Sequence, residues 1–297
     1  MSARWLASAT AALTFALMLL GGVVHATGSS LACPDWPTCY GELVPEMVGG
    51  ILYEHSHRML GTLVGLFTLV LAVVLFRRGG GLRLIGLGAL LLVIVQGLLG
   101  GATVLLRLPP AVSTAHLAIA FVFLGTMLLV STRLVSKRAE TEVEVPPRLA
   151  NVVTLAVVAV FSQCVLGALV RHSGAAAACG ADPYACAGSL FPLETLGRIQ
   201  MLHRFFAVVV ALLVVYAAIA VAREPRTRAL RPFAFAAVLL VFAQIVLGVL
   251  SLTTALDAVM VTAHLAVGAL LYGVLLWQRL KMRYPRPESW AAARAPT

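Results

Sequence analysis

The chain has 297 residues, of which 61% are hydrophobic and only 11% charged, and its formal net charge is +10. Soluble domains carry about 25% charged residues, so this composition excludes a soluble globular fold. The positive charge suggests nucleic acid only until the basic residues are placed, because they punctuate apolar runs instead of gathering on one surface. Those runs are about 20 residues long, enough to cross a hydrocarbon core of roughly 30 Å. They fall near 5–26, 57–76, 83–104, 113–133, 149–170, 200–221, 231–252 and 260–280. They are too long for barrel strands, and backbone groups in lipid must be satisfied within the segment. The expected fold is an all-α membrane protein with eight transmembrane helices.

Arg4 ahead of the first run gives it the look of a signal peptide, but the region aligns with a later one and is read as a retained span. Arg77, Arg78 and Arg83 separate runs two and three. Arg133, Lys137, Arg138 and Arg148 flank the link between runs four and five. Arg223, Arg226, Arg228 and Arg231 lie between runs six and seven, and Arg279, Lys281, Arg283 and Arg286 follow run eight. The opposite loops hold only Arg107, Arg171 and Arg198, with Arg58 at a helix start. The positive-inside rule then makes both termini cytoplasmic.

The chain repeats itself. Gly21 through Cys33 aligns without gaps on Gly167 through Cys179, and His57-Arg58 on His203-Arg204, an offset of 146 in each case (203 − 57). Gln96 matches Gln244, and Thr114-Ala115-His116-Leu117-Ala118 recurs as Thr262-Ala263-His264-Leu265-Ala266, an offset of 148 (264 − 116). The expected architecture is two pseudo-symmetric four-helix bundles, residues 1–135 and 149–297, joined by a charged, Pro-containing cytoplasmic linker at 136–148. An even number of crossings per half gives both halves one orientation, related by an axis along the membrane normal.

Four of five cysteines fall in the two long loops, 27–56 and 171–199. Cys33 and Cys39 flank Pro-Asp-Trp-Pro-Thr, and Cys179 and Cys186 occupy the equivalent loop. Each pair is read as a structural staple on the oxidising side or as a redox-active couple; neither has the Cys-x-x-Cys spacing of thioredoxin-like motifs. Cys164, inside a span, is read as core.

Seven histidines lie toward one end of the runs: His25 and His172 end runs one and five, and His55, His57, His116, His203 and His264 lie at the starts of the even-numbered ones. A lone membrane histidine is most simply a hydrogen-bonded core residue, but His57, His116, His203 and His264 form two matched pairs, one per half. Polar groups at such depth are costly without a role. In a helical bundle facing side chains converge on the interior, where cofactor sites are built. Zinc prefers four protein ligands, or three and a water, which a bare histidine pair does not supply. Two histidines in an apolar bundle suit a six-coordinate heme. Arg58 and Arg204 are candidates to pair with heme propionates; interfacial snorkelling is the alternative.

The halves differ at one place. Glu54 stands three residues before His57, on the same helical face, whereas Gln200 stands three before His203. Only the first half therefore offers a carboxylate for acid–base or electrostatic work. The alternative is a helix N-terminal glutamate favoured by the dipole.

Together, Gly-Gly-Val-Val-His-Ala-Thr-Gly-Ser-Ser-Leu-Ala-Cys-Pro-Asp-Trp-Pro-Thr-Cys from Gly21, Glu-His-Ser-His-Arg from Glu54, the Thr-Ala-His at His116 and the second-half copies resemble heme A synthase over residues 5–280. The resemblance implies an oxidoreductase of the bacterial inner membrane that oxidises a methyl group of heme O to a formyl group, giving heme A for terminal oxidases. It implies that His57 and His116 serve the substrate heme, that His203 and His264 hold a heme b cofactor, and that Glu54 is important for activity. It further implies a Cys33–Cys39 disulfide and sites toward the outer face. His55 departs from the family pattern as an extra histidine. The implied partners are the lipid bilayer, heme O and heme A, an electron acceptor and, as candidates, heme O synthase and terminal-oxidase assembly factors. Competing readings are a di-heme b-type, quinol-linked cytochrome, a disulfide-exchange membrane protein and a transporter; parallel halves weaken the last.

Overall fold

The computed structural model describes residues 2–134 and 142–284. Eight long helices dominate: α1 (Ala3–Ala26), α2 (Gly49–Arg78), α3 (Gly80–Leu105), α4 (Pro110–Arg133), α5 (Pro147–His172), α6 (Thr195–Arg223), α7 (Arg231–Thr253) and α8 (Ala258–Leu280). All eight are long and apolar enough to cross a membrane. Local chemistry sets several ends. The Ser2 hydroxyl accepts from the Trp5 N–H, and Asp257 accepts from the N–H groups of Val259 and Met260, capping α1 and α8. Pro110 and Pro147 open α4 and α5, where a missing N–H costs nothing. Gly79, at φ 72°, breaks the chain between α2 and α3 in a conformation that a side chain would disfavour.

The helices form two closed rings of neighbours: α1 packs on α2 and α4, and α3 on the same two; likewise α5 packs on α6 and α8, and α7 on the same two. Between the rings, α1 meets α8, α4 meets α5, and α4 meets α8. At that seam Phe121, Phe161 and Tyr272 form an aromatic cluster with centroid separations of 5.5–6.5 Å. Close approach relies on small residues, as expected where lipid supplies no hydrophobic drive between helices. Gly125 of α4 lies under the Tyr272 ring, so that a Cβ there would meet the hydroxyl oxygen at 2.6 Å. Many leucine, valine and phenylalanine side chains on the outer faces are exposed, among them Leu84, Leu212 and Phe235.

Two elements depart from the sequence expectation. Helix α2 begins at Gly49, not near 57, and α6 at Thr195, not near 200. Hydropathy skips the polar stretch at the head of each helix, but those side chains are satisfied by a covering loop, which lets the helix continue. The linker is also less exposed than its charge suggests. Val143–Glu144 pairs in parallel with Met282–Arg283, Val145 is fully buried, and Arg283 bridges Glu144 at 3.4 Å. Residues 136–141, including Lys137 and Arg138, and Arg286 lie outside the described residues.

Gly125→Ala is expected to destabilise the fold by about 1–3 kcal/mol through overpacking against Tyr272. Gly65→Ala, with nothing within 4 Å of the added carbon, should be neutral or slightly stabilising. Thermal melts of the detergent-solubilised variants test both.

Candidate functional site

Helix direction puts the ends of α1, α3, α5 and α7 and the starts of α2, α4, α6 and α8 at one end of the molecule, together with both disulfide loops. All seven histidines lie toward this end. His57 and His203 stand eight residues after the starts of α2 and α6 (57 − 49, 203 − 195); His116 and His264 stand six after those of α4 and α8 (116 − 110, 264 − 258). Each imidazole rests on a glycine of the preceding helix. A Cβ built on Gly21, Gly100, Gly167 or Gly248 would meet the Cε1 of His57, His116, His203 or His264 at 3.0, 3.3, 3.0 and 3.4 Å. These glycines repeat with the same offsets as the histidines, 146 (167 − 21) and 148 (248 − 100). The sequence reading did not single them out as a set; among 25 glycines, only the shared offset marks them.

The four histidines are half-buried, while the Nδ1 atoms of His57, His116 and His264 are buried without a hydrogen-bond partner. Their accessible surface therefore belongs to the rest of the side chain. Helices α2 and α4 are diagonal in the first ring, α6 and α8 in the second, so each pair converges from opposite corners. Glutamines brace the histidine-bearing helices. Gln96 donates to the carbonyl of His116 at 2.9 Å, and Gln163 to that of His203 at 3.0 Å, with its amide nitrogen 3.1 Å from that ring's Nδ1. Gln163, which sequence reasoning missed, is a polar residue one turn before Gly167 in a span whose other polar residues include Asn151, Thr154 and Ser162.

Glu54 is buried, 3% exposed, and five residues into α2, beyond the reach of a simple N-terminal dipole role. Its Oε1 accepts from Arg58 Nη2 at 2.6 Å and its Oε2 from the Cys33 N–H at 2.8 Å. The Arg58 guanidinium also donates to the carbonyls of Cys33, Asp35 and Thr38. The Arg58 guanidinium is thus shared between Glu54 and the loop backbone. Removing one member of such a buried pair strands a charge, at a cost of about 3–5 kcal/mol.

The loop between α1 and α2 is closed by the Cys33–Cys39 disulfide and by a Cys39–Glu42 bridge. The Asp35 carboxylate accepts from the Thr38 hydroxyl and from the N–H groups of Tyr40 and Gly41. These bonds, the Thr38 hydroxyl first, hold its carboxyl down at about 2. The second loop repeats the plan with Cys179–Cys186, a Cys186–Ser189 bridge and Asp182 accepting from the N–H groups of Tyr184 and Ala185. Those N–H groups hold the Asp182 carboxyl below its ordinary value.

His55 faces away from His57, since two residues rotate a helix by about 200°. Its Nε2 lies 3.1 Å from the Leu43 carbonyl, and one of its ring nitrogens and the two loop sulfurs lie within 4.8 Å of one another. With those sulfurs joined to each other, the group is not a metal site. In the second half the corresponding disulfide is buried against Met201 (201 − 55 = 146).

Arg204 donates to the carbonyls of Asp182 and Ala185 through Nη1 alone; its Nε and Nη2 are buried without partners, as is Gln200 Oε1. His25 and His172 meet edge to face across the seam at 5.1 Å, with Thr114 Oγ1 3.4 Å from His172 Nδ1. At the opposite, arginine-rich end, two clefts of about 260 and 300 Å³ are lined by Gly81, Leu82, Ile85 and Arg133, and by Ser2, Ala3, Arg4, Arg78 and Leu134. Neither contains a histidine.

The depressed Asp35 value has a signed consequence. Because the folded carboxyl sits below the ordinary 3.8, its contribution to loop order is complete above that pH and is lost as pH falls toward about 2. Amide exchange at Tyr40 and Gly41, corrected for the intrinsic rate, should be flat from about pH 5 to 8 and rise only in that acid window. Asp35→Asn should show fast exchange at neutral pH.

Comparison with known proteins places the chain. The family model described as cytochrome oxidase assembly protein matches residues 3–49 and 46–276. Heme A synthase of Geobacillus kaustophilus (strain HTA426) is 30% identical over 284 residues, covering 92% of this chain and 89% of that protein. Heme A synthase of Geobacillus thermodenitrificans is 27% identical over 304 residues, 99% and 96% of the two chains. That of Staphylococcus aureus (strain bovine RF122 / ET3-1) is 30% identical over 286 residues, 91% and 92%. With matched histidines on glycine cradles at one end of an eight-helix membrane fold, and near full-length similarity, the chain belongs to the cytochrome oxidase assembly protein family.

Proposed function

We propose that this protein is a membrane oxidoreductase that converts heme O to heme A by oxidising a porphyrin methyl group to a formyl group. The similarity to heme A synthases along nearly the whole chain supports the reaction. The observation that carries the assignment of roles is the asymmetry within a repeated frame. His57 and His203 stand at the same distance from their helix starts, yet Glu54 accompanies one and Gln200 the other. The first half is accordingly the substrate site, with His57 and His116 toward the iron of heme O. The second half holds a heme b through His203 and His264.

The residues present fit porphyrin. Glycine cradles leave each imidazole flush against a helix, and several buried polar atoms around them have no partner. Arg204, with Nε and Nη2 unpartnered, has the bidentate edge that suits a propionate. When bound, the second-half heme supplies one-electron redox chemistry close to the substrate. Glu54 stabilises positive charge as electrons leave the substrate and is positioned for this by Arg58 and the Cys33 N–H. The loop residues Cys33 to Glu42 shelter that carboxylate from bulk water, which strengthens its field.

The pattern of seam contacts supports a two-fold relation along the membrane normal. Exchange of the halves turns the α1–α8 contact into α5–α4 and returns α4–α8 to itself. The arginine-rich end, with Arg77, Arg78, Arg133 and Arg223, is the cytoplasmic side by the positive-inside rule. Both termini then lie inside a bacterial cell membrane, and the histidine end lies outward.

Expression beside a source of heme O followed by pigment extraction tests the reaction. Heme A is expected; recovery of heme B or heme O alone would favour a b-type electron-transfer cytochrome. Glu54→Gln should retain pigment yet lose formyl product by at least about 100-fold, within the range for a positioned acid–base or electrostatic group; full turnover would remove Glu54 from the chemistry. His203→Leu and Gly167→Val, the second by displacing the His203 ring, should each abolish the b-type absorption. Its retention would reverse the assignment of the halves.

A further inference from the structure

The first disulfide loop reaches into the bundle in a way the second does not. Trp36 lies flat on Gly101 of α3: a Cβ built there would meet indole Cδ2 at 2.8 Å and Cε2 and Cε3 at 3.0 Å. Its neighbour Gly100 carries the His116 ring at 3.3 Å. Consecutive helical residues differ by about 1.5 Å in height and 100° in direction. The indole and the imidazole therefore occupy adjoining faces of α3 at one depth.

Everything around Trp36 serves to hold it there. Arg58 grips the carbonyls of Cys33, Asp35 and Thr38 on both sides of it, and Asp35 ties the following turn through Thr38, Tyr40 and Gly41. The same Arg58 fixes Glu54. One hydrogen-bonded unit thus couples the carboxylate to the placement of the indole. Trp36 is nevertheless 37% exposed, so the ring is not a core anchor closed on all sides.

The second half has no counterpart. The second disulfide loop is one residue longer, so that Asp182 matches Asp35 and Cys186 matches Cys39 with an offset of 147 (182 − 35, 186 − 39); the place of Trp36 is then taken by Pro183, and with the offset of 148 that of Gly101 is taken by Val249. A valine there leaves no bed for a ring, and Val249 is 38% exposed. A resident cofactor needs no adjustable wall, whereas a substrate that enters and leaves does.

We propose that Trp36 is a specificity-determining wall of the substrate porphyrin site, stacking beside His116 and screening the porphyrin edge near Glu54 from water. The proposal rests on the first half being the substrate site. Aromatic faces pair well with extended π-systems, and a loop borne on a rigid scaffold is the usual place for a residue that selects substrate. Gly101 is conscripted to the same end, because only a residue without a Cβ admits the indole to this depth.

The test uses full-length protein carrying its second-half heme, as wild type, Trp36→Ala, Trp36→Phe and Gly101→Val. Heme O is titrated into each and its Kd read from the Soret change, alongside heme A formation and the midpoint potential of the resident heme. Trp36→Ala and Gly101→Val should raise the Kd about tenfold or more, and Trp36→Phe no more than about threefold. The resident heme's spectrum and potential should not move. An unchanged Kd in Trp36→Ala would overturn the proposal. So would loss of the resident heme from Trp36→Ala, which would make the indole a structural prop; if Gly101→Val alone fails to fold, Trp36→Ala still decides. Wild type that binds heme O without forming heme A would defeat the proposed reaction instead, and the Kd comparison would still judge Trp36.

Discussion

The contact between an imidazole ring and a bare helix backbone, made four times, is the constraint on which the rest of this molecule depends. A histidine near the end of a membrane helix must lie where its ring is both supported and usable, and a neighbouring side chain would push it away. Glycine at Gly21, Gly100, Gly167 and Gly248 removes that side chain and lets the ring lie against the preceding helix at 3.0–3.4 Å from where a Cβ would stand. Close helix packing through small residues is general in membranes; here it also aims the rings. The cost of glycine in a helix, about 1 kcal/mol relative to alanine, is accepted at each of four matched positions.

On that shared frame the two halves diverge through a few polar substitutions. In the first, a glutamate draws Arg58 toward itself and the loop, and the loop carries Trp36 onto α3. In the second, glutamine at the same place cannot form the ion pair, so Gln200 Oε1 and two Arg204 nitrogens stay buried and unpartnered. Buried polar atoms without partners are few in native structures, and their concentration around the histidines fits a site shaped for a polar-edged ligand. The second disulfide is backed by Met201 instead of His55, which leaves its surroundings apolar. A duplicated scaffold thereby carries one site with a carboxylate and one without, the difference on which the proposed division of roles rests.

The seam between the halves is built differently from the sites. Phe121, Phe161 and Tyr272 fill it with aromatic surface, and Gly125 lets Tyr272 approach α4. Toward the histidine end it becomes polar, where His25 and His172 meet. The joining of the halves is therefore aromatic at mid-depth and polar beside the candidate sites, and the parallel pairing of Val143–Glu144 with Met282–Arg283, next to the buried Val145, ties the chain together at the other end.

The eight helices were legible in the sequence because they depend on a local quantity, apolar length, and the repeat because it is a fixed offset within the sequence itself. The four histidines and the Glu54–Gln200 difference were legible for the same reason. Helix starts at Gly49 and Thr195 were not, since polar residues at the head of a span look like loop until a covering segment satisfies them. Nor were the bonds of Arg58 to the loop backbone, the Trp36–Gly101 contact and the His25–His172 pair, which join residues 20 to 147 positions apart and follow from how loops fold back over helix ends. The sequence by itself determined which groups are available and at what depth along each helix. Only tertiary packing decided which of them are already partnered and which are left to receive a ligand, because hydrogen bonding and van der Waals contact depend on distances that no linear spacing encodes.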